Sequence, residues 1–407
     1  MRVLMFGWEF PPYNSGGLGT ACHGLTRGLV NQGVDVTFVI PKALGELKQS
    51  HVNLLVADQF KKGLKIKELD SILVPYTTTK GYNEKLKTLK GTGANSGNSV
   101  YGQNLYQEVF RYSEKARHIA KKEKFDIIHC HDWMTYPAGI KVKEVSGKPL
   151  VLHIHATEFD RTGDHPNQII YEIEKEGFEC ADKICAVSNF TKQRVVNHYG
   201  INPDKVEVVH NAVEFTEPPN EERLHISPTD KVVLFLGRIT IQKGPEYFLY
   251  AAKKVLEVEK NVKFVVVGNG DMEHFMIEKA ADLGIADKVI FAGFLRGKDI
   301  DRAYRMADLY VMPSISEPFG ITPLESMRNG TPVLISKQSG VSEVISHCLK
   351  VDFWDIHELA NKIVAVLQYS ELHHCLKEHG SMEVTKFNWN EPAGKCINVY
   401  NKLLGVT

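Results

Sequence analysis

Apolar and polar positions follow one another along the chain in a pattern typical of buried parallel strands separated by helices. Short runs rich in valine, isoleucine and leucine recur, and the stretches between them have helical periodicity. Runs without a polar side indicate strands that are covered on both faces, as in βαβ units. The runs form two sets, first RVLMF, VDVTFVI, FDIIHC, PLVLHIH, KICAVS and KVEVVH, then KVVLFLG, VKFVVVG, KVIFAG, DLYVMP and PVLIS. The pattern therefore predicts an α/β fold built from parallel sheets.

A polar segment separates the two sets of strands. Residues 213–230 contain three prolines and five carboxylates and show little apolar periodicity, which is typical of a domain boundary. Each half of the 407-residue chain is long enough for one doubly wound sheet. Because such sheets bind ligands at the carboxyl ends of their strands, two facing domains predict a ligand cleft between them. Residues 41–105 interrupt the pattern, and we interpret them as an insertion over the first sheet.

Composition and charge exclude several classes of protein. The chain has 49 basic and 49 acidic residues, so no overall field attracts it to nucleic acid or to an anionic membrane. Its seven cysteines include no C-x-x-C pair and indicate reduced thiols. The N-terminus lacks a leader pattern, and the sequence has no run of about eighteen apolar residues. We expect a cytoplasmic protein with no nucleic-acid partner and no stable membrane association.

A glycine-rich loop follows the first predicted strand. Gly16, Gly17 and Gly19 stand immediately before a helical pattern, where glycines let backbone N–H groups approach a ligand and the helix N-terminus favours a phosphate. A dinucleotide fingerprint would place a further glycine at position 22, but the chain has Cys22. The loop therefore predicts phosphate contact without a nicotinamide cofactor, and a tight turn without a ligand is the alternative.

Two cations follow the first strand of the second half. Arg238 and Lys243 lie in the segment GRITIQKG with no carboxylate between them. At the carboxyl end of a strand such a pair can clamp a diphosphate, with arginine binding in a bidentate manner and lysine as a point charge. Solvated surface cations are the alternative.

Histidines occur in pairs at the ends of two strands of the first half. His129 and His131 lie in IIHCHDW, and His153 and His155 lie in LHIH. A zinc site needs three or four converging ligands, and Asp132 is the one further candidate nearby. We predict that these side chains line a polar pocket and bind no metal, with a structural role as the alternative for His129 and His153.

Two carboxylates frame the segment SEPFGITPLES. Glu317 precedes a proline, which favours an extended loop at the carboxyl end of a predicted strand. Thr322, Pro323 and Glu325 have the order of a helix start, with threonine as N-cap and glutamate completing a capping box. Glu317 therefore has the stronger case for binding a ligand.

A further pair of carboxylates, Asp299 and Asp301, has the D-x-D spacing of some cation sites. The pair begins a helical pattern, so we interpret it as helix capping.

The ordered set of these motifs resembles the retaining glycosyltransferases of the GT-B fold, in the large family that includes glycogen and starch synthases. The resemblance runs over nearly the whole chain. It implies two Rossmann-like domains, residues 1–213 on the acceptor side and residues 214–390 binding the nucleotide sugar. The segment FNWN resembles the point where such chains cross back, which implies that residues 391–407 form a helix packed on the first domain.

The resemblance also implies roles for individual residues. Catalytic roles fall to Glu317, His155, Arg238 and Lys243. Donor contacts fall to Gly17, Gly19, Arg238, Lys243, Glu317, Phe319, Gly320 and Glu325, with Glu325 at the nucleotide ribose. Acceptor-side contacts fall to Asp132, Trp133 and Tyr101.

The implied reaction is the retaining transfer of a sugar, with glucose favoured, from a nucleotide diphosphate sugar to an α-glucan. It needs neither a metal nor a cofactor, and UDP-glucose or ADP-glucose is the implied donor. Asn14 stands where bacterial synthases that use ADP-glucose carry lysine, which leaves the donor nucleotide open. The alternatives are a retaining transferase for a lipid or cell-surface glycan, and a nucleotide-sugar epimerase or a binding protein of the same fold.

Overall fold

Two parallel sheets organise the chain. The computed structural model describes residues 1–11, 16–41, 51–56, 103–214 and 230–406. Tyr101, Asn14 and most of the predicted insertion lie outside the described residues. Every strand pair in both sheets is parallel, as the continuous apolar runs predict.

The first sheet has seven strands in the order β3-β2-β1-β4-β5-β6-β7. Strands β4 and β5 are buried along their whole length, because helices cover both faces of the sheet. The strands are β1 (Arg2–Phe6), β2 (Asp35–Ile40), β3 (Asn53–Val56), β4 (Ile127–His131), β5 (Leu150–Ile154), β6 (Lys183–Ala186) and β7 (Val206–Val208).

Six helices belong to the first half of the described chain. They are α1 (Gly17–Asn31), α2 (Gln103–Ala120), α3 (Tyr136–Ser146), α4 (Glu158–Thr162), α5 (Gln168–Cys180) and α6 (Asn189–Tyr199). Local sequence sets their ends. In α6, for example, the Ser188 hydroxyl accepts the N–H of Thr191, and Gly200 ends the helix with a φ of 69°, a conformation that glycine adopts without strain.

The second sheet has six strands in the order β10-β9-β8-β11-β12-β13. They are β8 (Lys231–Leu236), β9 (Val262–Val267), β10 (Val289–Gly293), β11 (Leu309–Met312), β12 (Val333–Ser336) and β13 (Leu349–Val351). The accompanying helices are α7 (Pro245–Val258), α8 (Glu273–Asp282), α9 (Lys298–Met306), α10 (Thr322–Arg328), α11 (Ile356–Gln368) and α12 (Ser370–Val384). Within the described ranges, no helix combines the length and the apolar character needed to cross a membrane.

The last helix, α13 (Asn390–Leu404), returns to the first domain and packs against α1. Trp389, Ala393 and Tyr400 belong to the same buried cluster as residues of α1 and β1. The contact is close, because a Cβ on Gly28 would lie 2.3 Å from the carbonyl oxygen of Trp389. Two glycines one turn apart on α1, Gly24 and Gly28, therefore form the surface on which the end of the chain rests.

In each sheet the strand order reverses at one place, between β1 and β4 in the first and between β8 and β11 in the second. Open α/β sheets bind ligands in the crevice beyond the carboxyl ends of the strands at this switch point. The glycine loop, the HDW segment, GRITIQKG and SEPFG come after these four strands in the sequence. The topology thus brings the predicted site segments to the two switch points.

The contact between α1 and α13 is sensitive to a single methyl group. We expect Gly28→Ala to lower the free energy of unfolding by about 1–3 kcal/mol, because the added Cβ would overlap the backbone of Trp389. Gly394→Ala is the matched control. The nearest atom to its added Cβ is 3.5 Å away, and alanine favours a helix interior by about 0.5–1 kcal/mol. Urea unfolding of both variants tests the contact, and equal stability of the two would contradict it.

Candidate functional site

The loop after β8 carries the two predicted cations. Ile241–Lys243 form a single 3₁₀ turn, and Gly244 follows with a φ of 59°. A Cβ on Gly244 would lie 2.2 Å from the carbonyl oxygen of Pro313, so glycine allows this loop to rest directly on the segment that follows β11. The loop bearing Arg238 and Lys243 therefore has a fixed position next to the segment bearing Glu317.

Lys243 and Glu317 form an ion pair between these two segments. The Lys243 Nζ atom donates to Oε2 of Glu317, and the Ser314 hydroxyl donates to the same oxygen at 3.3 Å. Glu317 is 6% exposed. A carboxylate so deeply buried requires a paired charge and hydrogen bonds, and the structure supplies both.

Gln242 connects the two segments and was not singled out from the sequence. Its side-chain oxygen accepts from Nη2 of Arg238 at 3.1 Å, and its backbone carbonyl accepts the N–H of Ile315 at 3.0 Å. Gln242 is buried, so one residue orients the guanidinium and holds the neighbouring loop. An uncharged residue between two cations gives no signal in the sequence, since its role depends on the loop that packs beside it.

The backbone around Glu317 is also fixed. The N–H of Glu317 donates to Gln338 at 3.0 Å, and its carbonyl accepts the N–H of Gly340 at 2.9 Å. Gly320 has a φ of 98°, which favours glycine. The Phe319 ring is buried against His210, so this predicted donor residue packs at the base of the loop. Contact of Phe319 or Gly320 with a donor stays a prediction.

Glu325 does not complete a capping box, so that prediction is wrong. Helix α10 begins at Thr322, and the preceding Ile321 offers no side-chain cap. The Thr322 hydroxyl instead accepts from the hydroxyl of Tyr310 at 2.8 Å. Glu325 accepts from the hydroxyl of Tyr304 at 3.1 Å, and burial raises the pKa of the Glu325 carboxyl despite the opposing effect of nearby cationic and hydroxyl groups. Its role at a ribose stays a prediction.

The glycine loop of the first domain divides into an open and a closed part. Gly16 and Gly17 have no atom within 4 Å of where a Cβ would lie, which leaves space for a ligand. The Gly19 N–H donates to Oε1 of Glu9 at 3.0 Å, so in this structure the N–H predicted to meet a donor is already bonded. Glu9 is 2% exposed and was missed. The sequence signal that could have identified Glu9 is a carboxylate three positions after the end of β1, ahead of the glycine loop.

Asp132 has an unusual backbone conformation at the end of β4. Its φ of 60° and ψ of 166° lie in a region that residues other than glycine rarely adopt, and such strain clusters at functional sites. Its carboxylate accepts the backbone N–H of His155 at 2.7 Å and lies 3.7 Å from Arg161. Asp132 and Trp133 are both fully buried, so Asp132 holds His155 in place. Direct contact of either residue with an acceptor stays a prediction.

The four strand-end histidines form a stacked array. His129, His131 and His153 are buried in the interior, which fits the structural role given as the alternative for His129 and His153 and contradicts the polar-pocket prediction for all three. The half-buried His155 is bonded through Nε2 to Nδ1 of His131 at 3.0 Å. Burial, together with nearby Arg161, lowers the pKa of His155 to about 3. The imidazole is therefore neutral near pH 7 and contributes hydrogen bonds, not charge.

The D-x-D pair lies in the first turn of α9. Asp299 pairs with Arg302 at 3.2 Å, and Asp301 pairs with Arg328 at 2.6 Å. Neither caps the helix through its side chain, because Gly297 is the N-cap. Acidic groups there are favourable to the helix dipole, and both carboxylates are already engaged by arginine.

Comparison with known proteins identifies the family. The family model described as Glycosyltransferase Family 4 matches residues 15–217, and the one described as Glycosyl transferases group 1 matches residues 217–381. An uncharacterized glycosyltransferase of Methanocaldococcus jannaschii is 30% identical over 418 residues, covering 98% of each chain. The chain belongs to the family 4 type of glycosyltransferases. The glycogen synthase of Mycobacterium tuberculosis is 24% identical over 351 residues, covering 85% of this chain and 80% of that one.

Solved structures share the architecture. Sucrose-phosphate synthase from Thermosynechococcus elongatus superposes with a TM-score of 0.77 at 18% identity, covering 99% of both chains. HepE from Anabaena, solved with UDP and glucose, superposes with a TM-score of 0.70 at 17% identity, covering 98% of this chain and 99% of that one. At identities this low, the superpositions show the fold alone. They confirm the predicted GT-B fold with its two Rossmann-like domains.

In this glycosyltransferase, short polar contacts hold the loop that bears Glu317 against the first domain. The Ser188 hydroxyl donates to the carbonyl of Pro318 at 2.5 Å. The Ser316 hydroxyl donates to Oδ1 of Asp160 at 2.5 Å. These two contacts flank Glu317, so its position depends on both domains.

Arg161 lies at the centre of a buried network of charged side chains in the first domain. It lies 3.0 Å from Glu174, 3.5 Å from Glu158 and 3.7 Å from Asp132, and the side chains of all three carboxylates are fully buried. One guanidinium thus contacts three buried acidic groups, and burial still raises the pKa of Glu174 to about 7 despite the opposing effect of Arg161. Arginine suits this position because its planar fork presents five donors.

Removal of this guanidinium is expected to be costly. We expect Arg161→Met to lower the free energy of unfolding by about 3–5 kcal/mol, because it leaves buried charges without compensation. Arg302→Met removes an exposed pair with Asp299 and should change stability by no more than about 0.5 kcal/mol. Urea unfolding at neutral pH measures both, and a loss for Arg161→Met as small as that of its control would contradict the assignment.

Proposed function

We propose that this glycosyltransferase moves glucose from a nucleotide diphosphate sugar to an α-glucan with retention of the anomeric configuration. The observation that carries the proposal is the Lys243–Glu317 pair. It places a cation and a carboxylate side by side at the β8/β11 switch point, on loops joined by Gln242. A diphosphate needs the cation, and a sugar with its hydroxyl groups needs the carboxylate.

A donor would reorganise this pair. The diphosphate competes with Glu317 for Lys243 Nζ, because a charge-assisted bond to phosphate is among the strong polar contacts. Arg238, oriented by Gln242, adds a second cation to the same diphosphate. The released Glu317 carboxylate then accepts from sugar hydroxyls. The ion pair thereby holds both groups in place until the donor replaces it.

The transfer step follows from this placement. The acceptor hydroxyl oxygen forms a bond to the anomeric carbon as the bond from that carbon to the diphosphate oxygen breaks. The hydroxyl proton passes to the departing diphosphate, so attack and departure share one face and the configuration is kept. Arg238 and Lys243 stabilise the charge that develops on the leaving group, which is the electrostatic contribution expected of fixed cations at such a site.

Glucose and α-glucan are proposed because of the motifs and the relatives. The similarity to a glycogen synthase spans most of the chain, and HepE of the same fold binds UDP and glucose. The opposing domain offers Gly16 and Gly17 with open space beside them, where backbone N–H groups can meet the donor. We assign His155, at the end of β5, the role of a neutral hydrogen-bonding group for the sugar or the acceptor.

Donor binding is expected to raise the melting temperature, since a ligand of the folded state stabilises that state. A screen of UDP-, ADP- and GDP-glucose should find a donor that gives this shift, and Lys243→Ala should abolish it. Lys395→Ala is the control, because Lys395 is an exposed partner of Glu391 on α13. A full shift in Lys243→Ala would refute the diphosphate clamp.

Glycogen extension tests the reaction itself. With the stabilising donor and glycogen, we expect polymer growth and release of nucleoside diphosphate only when acceptor is present, which excludes an epimerase and a binding protein. Glu317→Gln should lower kcat/KM about 10- to 100-fold, the loss expected for a charged hydrogen bond. Glu278→Gln, exposed on α8, is the control.

The products separate the remaining alternatives. NMR of the new linkage should show the same anomeric configuration as the donor. An inverted configuration would refute the proposed step in which attack and departure share one face. If no donor extends glycogen, the glucan acceptor is wrong. Transfer to a lipid or cell-surface glycan acceptor under the same conditions would then support the alternative acceptor class.

A further inference from the structure

A row of imidazole and thiol side chains crosses the first sheet away from the loops after β8 and β11. His131 is the register partner of His153 in the pairing of β4 with β5, and His153 is the partner of Cys185 in the pairing of β5 with β6. Register partners on adjacent parallel strands project from the same face of a sheet. The sequence therefore brings imidazole and thiol groups together although they are far apart in the chain.

The returning helix α13 adds a second thiol to this face. Cys396 and Tyr400 are one turn apart on α13, and both are fully buried in the cluster that also contains Cys185. The sulfur atoms of Cys185 and Cys396 and a ring nitrogen of His153 all lie within 4.8 Å of one another. Ligand atoms bound to one ion at 2.0–2.3 Å have separations within this range.

One nitrogen of this group has no hydrogen-bond partner. Nδ1 of His153 lies 3.3 Å from Nε2 of His129, whereas Nε2 of His153 is buried and unpartnered. Leaving a buried polar atom unpaired is unfavourable. The unpaired lone pair on a ring oriented by its other nitrogen is the arrangement expected of a metal-binding imidazole.

We propose that His153, Cys185 and Cys396 bind a zinc ion that fastens α13 to the sheet of the first domain. Thiolate and imidazole are preferred zinc ligands. Both thiols release their protons to solvent on binding, so two thiolates neutralise the ion. A neutral centre suits this interior, where a net charge would be costly to bury.

The surrounding residues support the same assignment. His129 contacts Nδ1 of His153 through one ring nitrogen and the Tyr400 hydroxyl through the other, at 2.5 Å. His129 thus orients the His153 ring through Nδ1, and Tyr400 of α13 orients His129 in turn. Ligand histidines are ordinarily held in this way by a partner on the second nitrogen.

Two neighbouring groups fit zinc less well. Cys22, His131 and His155 form one, and His129, His131 and His153 form the other. The first would neutralise only one of the ion's two charges and the second would neutralise none. Since all these side chains are largely removed from water, charge balance favours the group with two thiolates. The proposal does not rest on the transfer reaction, because no donor residue belongs to this group.

Cobalt substitution tests the site in the full-length chain. Protein purified without an affinity metal and washed with a weak chelator should retain about one zinc ion per chain. Exchange for Co²⁺ should give the thiolate-to-cobalt charge-transfer absorption expected of two cysteine ligands. X-ray absorption of the zinc form should show sulfur at about 2.3 Å and nitrogen at about 2.0–2.1 Å. Absence of the cobalt band in the unaltered chain would overturn the proposal, whatever the variants do.

Variants locate the ion. Cys185→Ser and Cys396→Ser should each lose zinc and the cobalt band, and zinc should raise the melting temperature of the unaltered chain but not of these variants. Cys130→Ser is the matched control, because Cys130 is equally buried in another core cluster of the first domain. Cys180 and Cys375 are exposed, so loss of zinc in Cys180→Ser/Cys375→Ser with retention in Cys396→Ser would show adventitious surface binding and refute the site.

Discussion

The buried ion pair between Lys243 and Glu317 is the constraint that fixes the loops after β8 and β11 of this glycosyltransferase. A carboxylate at 6% exposure is stable only beside a fixed cation, so two loops from different strands must keep one relative position. Gly244 permits their contact, because any side chain there would overlap Pro313. Gln242 then joins the loops through its backbone carbonyl, which accepts from Ile315, while its side chain orients Arg238 within the first loop. The charged groups are thus positioned by uncharged ones.

Most of the fold could be predicted from the sequence because it follows from local patterns of apolar and polar residues. Apolar runs alternate with helical periodicity, and the rules of parallel sheets bring loops after β1, β4, β8 and β11 to the switch points. The cations and Glu317 could be predicted for the same reason. A charged residue in a loop that directly follows a strand occupies the ligand edge, whatever its tertiary partners are.

The partners themselves could not be predicted. Glu325 has the spacing of a capping box, but the Thr322 hydroxyl is bonded to Tyr310, a residue of β11, and the tertiary contact prevails over the local one. The histidines have alternating positions, but the helix that buries His129 and His153 comes from the other end of the chain. Glu9 accepts from Gly19, ten positions further along the chain. Gln242 is uncharged and accepts from Ile315 in another loop. Each of these outcomes depends on packing between segments that no local pattern records.

The contact between the two domains is continuous with the loop that bears Glu317. Helix α6 begins with N–H groups that have no partner within the helix, and the Glu343 carboxylate of the second domain accepts those of Asn189 and Phe190 at 2.9 and 2.7 Å. Three residues earlier, Gly340 donates to the carbonyl of Glu317, and a Cβ on Gly340 would lie 2.5 Å from that of Ser188. The segment that caps a helix of the first domain therefore also holds the backbone of Glu317. Separation of the domains would expose the α6 N–H groups and remove the contact of Gly340 with the first domain, so the geometry at Glu317 is complete only while the two domains are together.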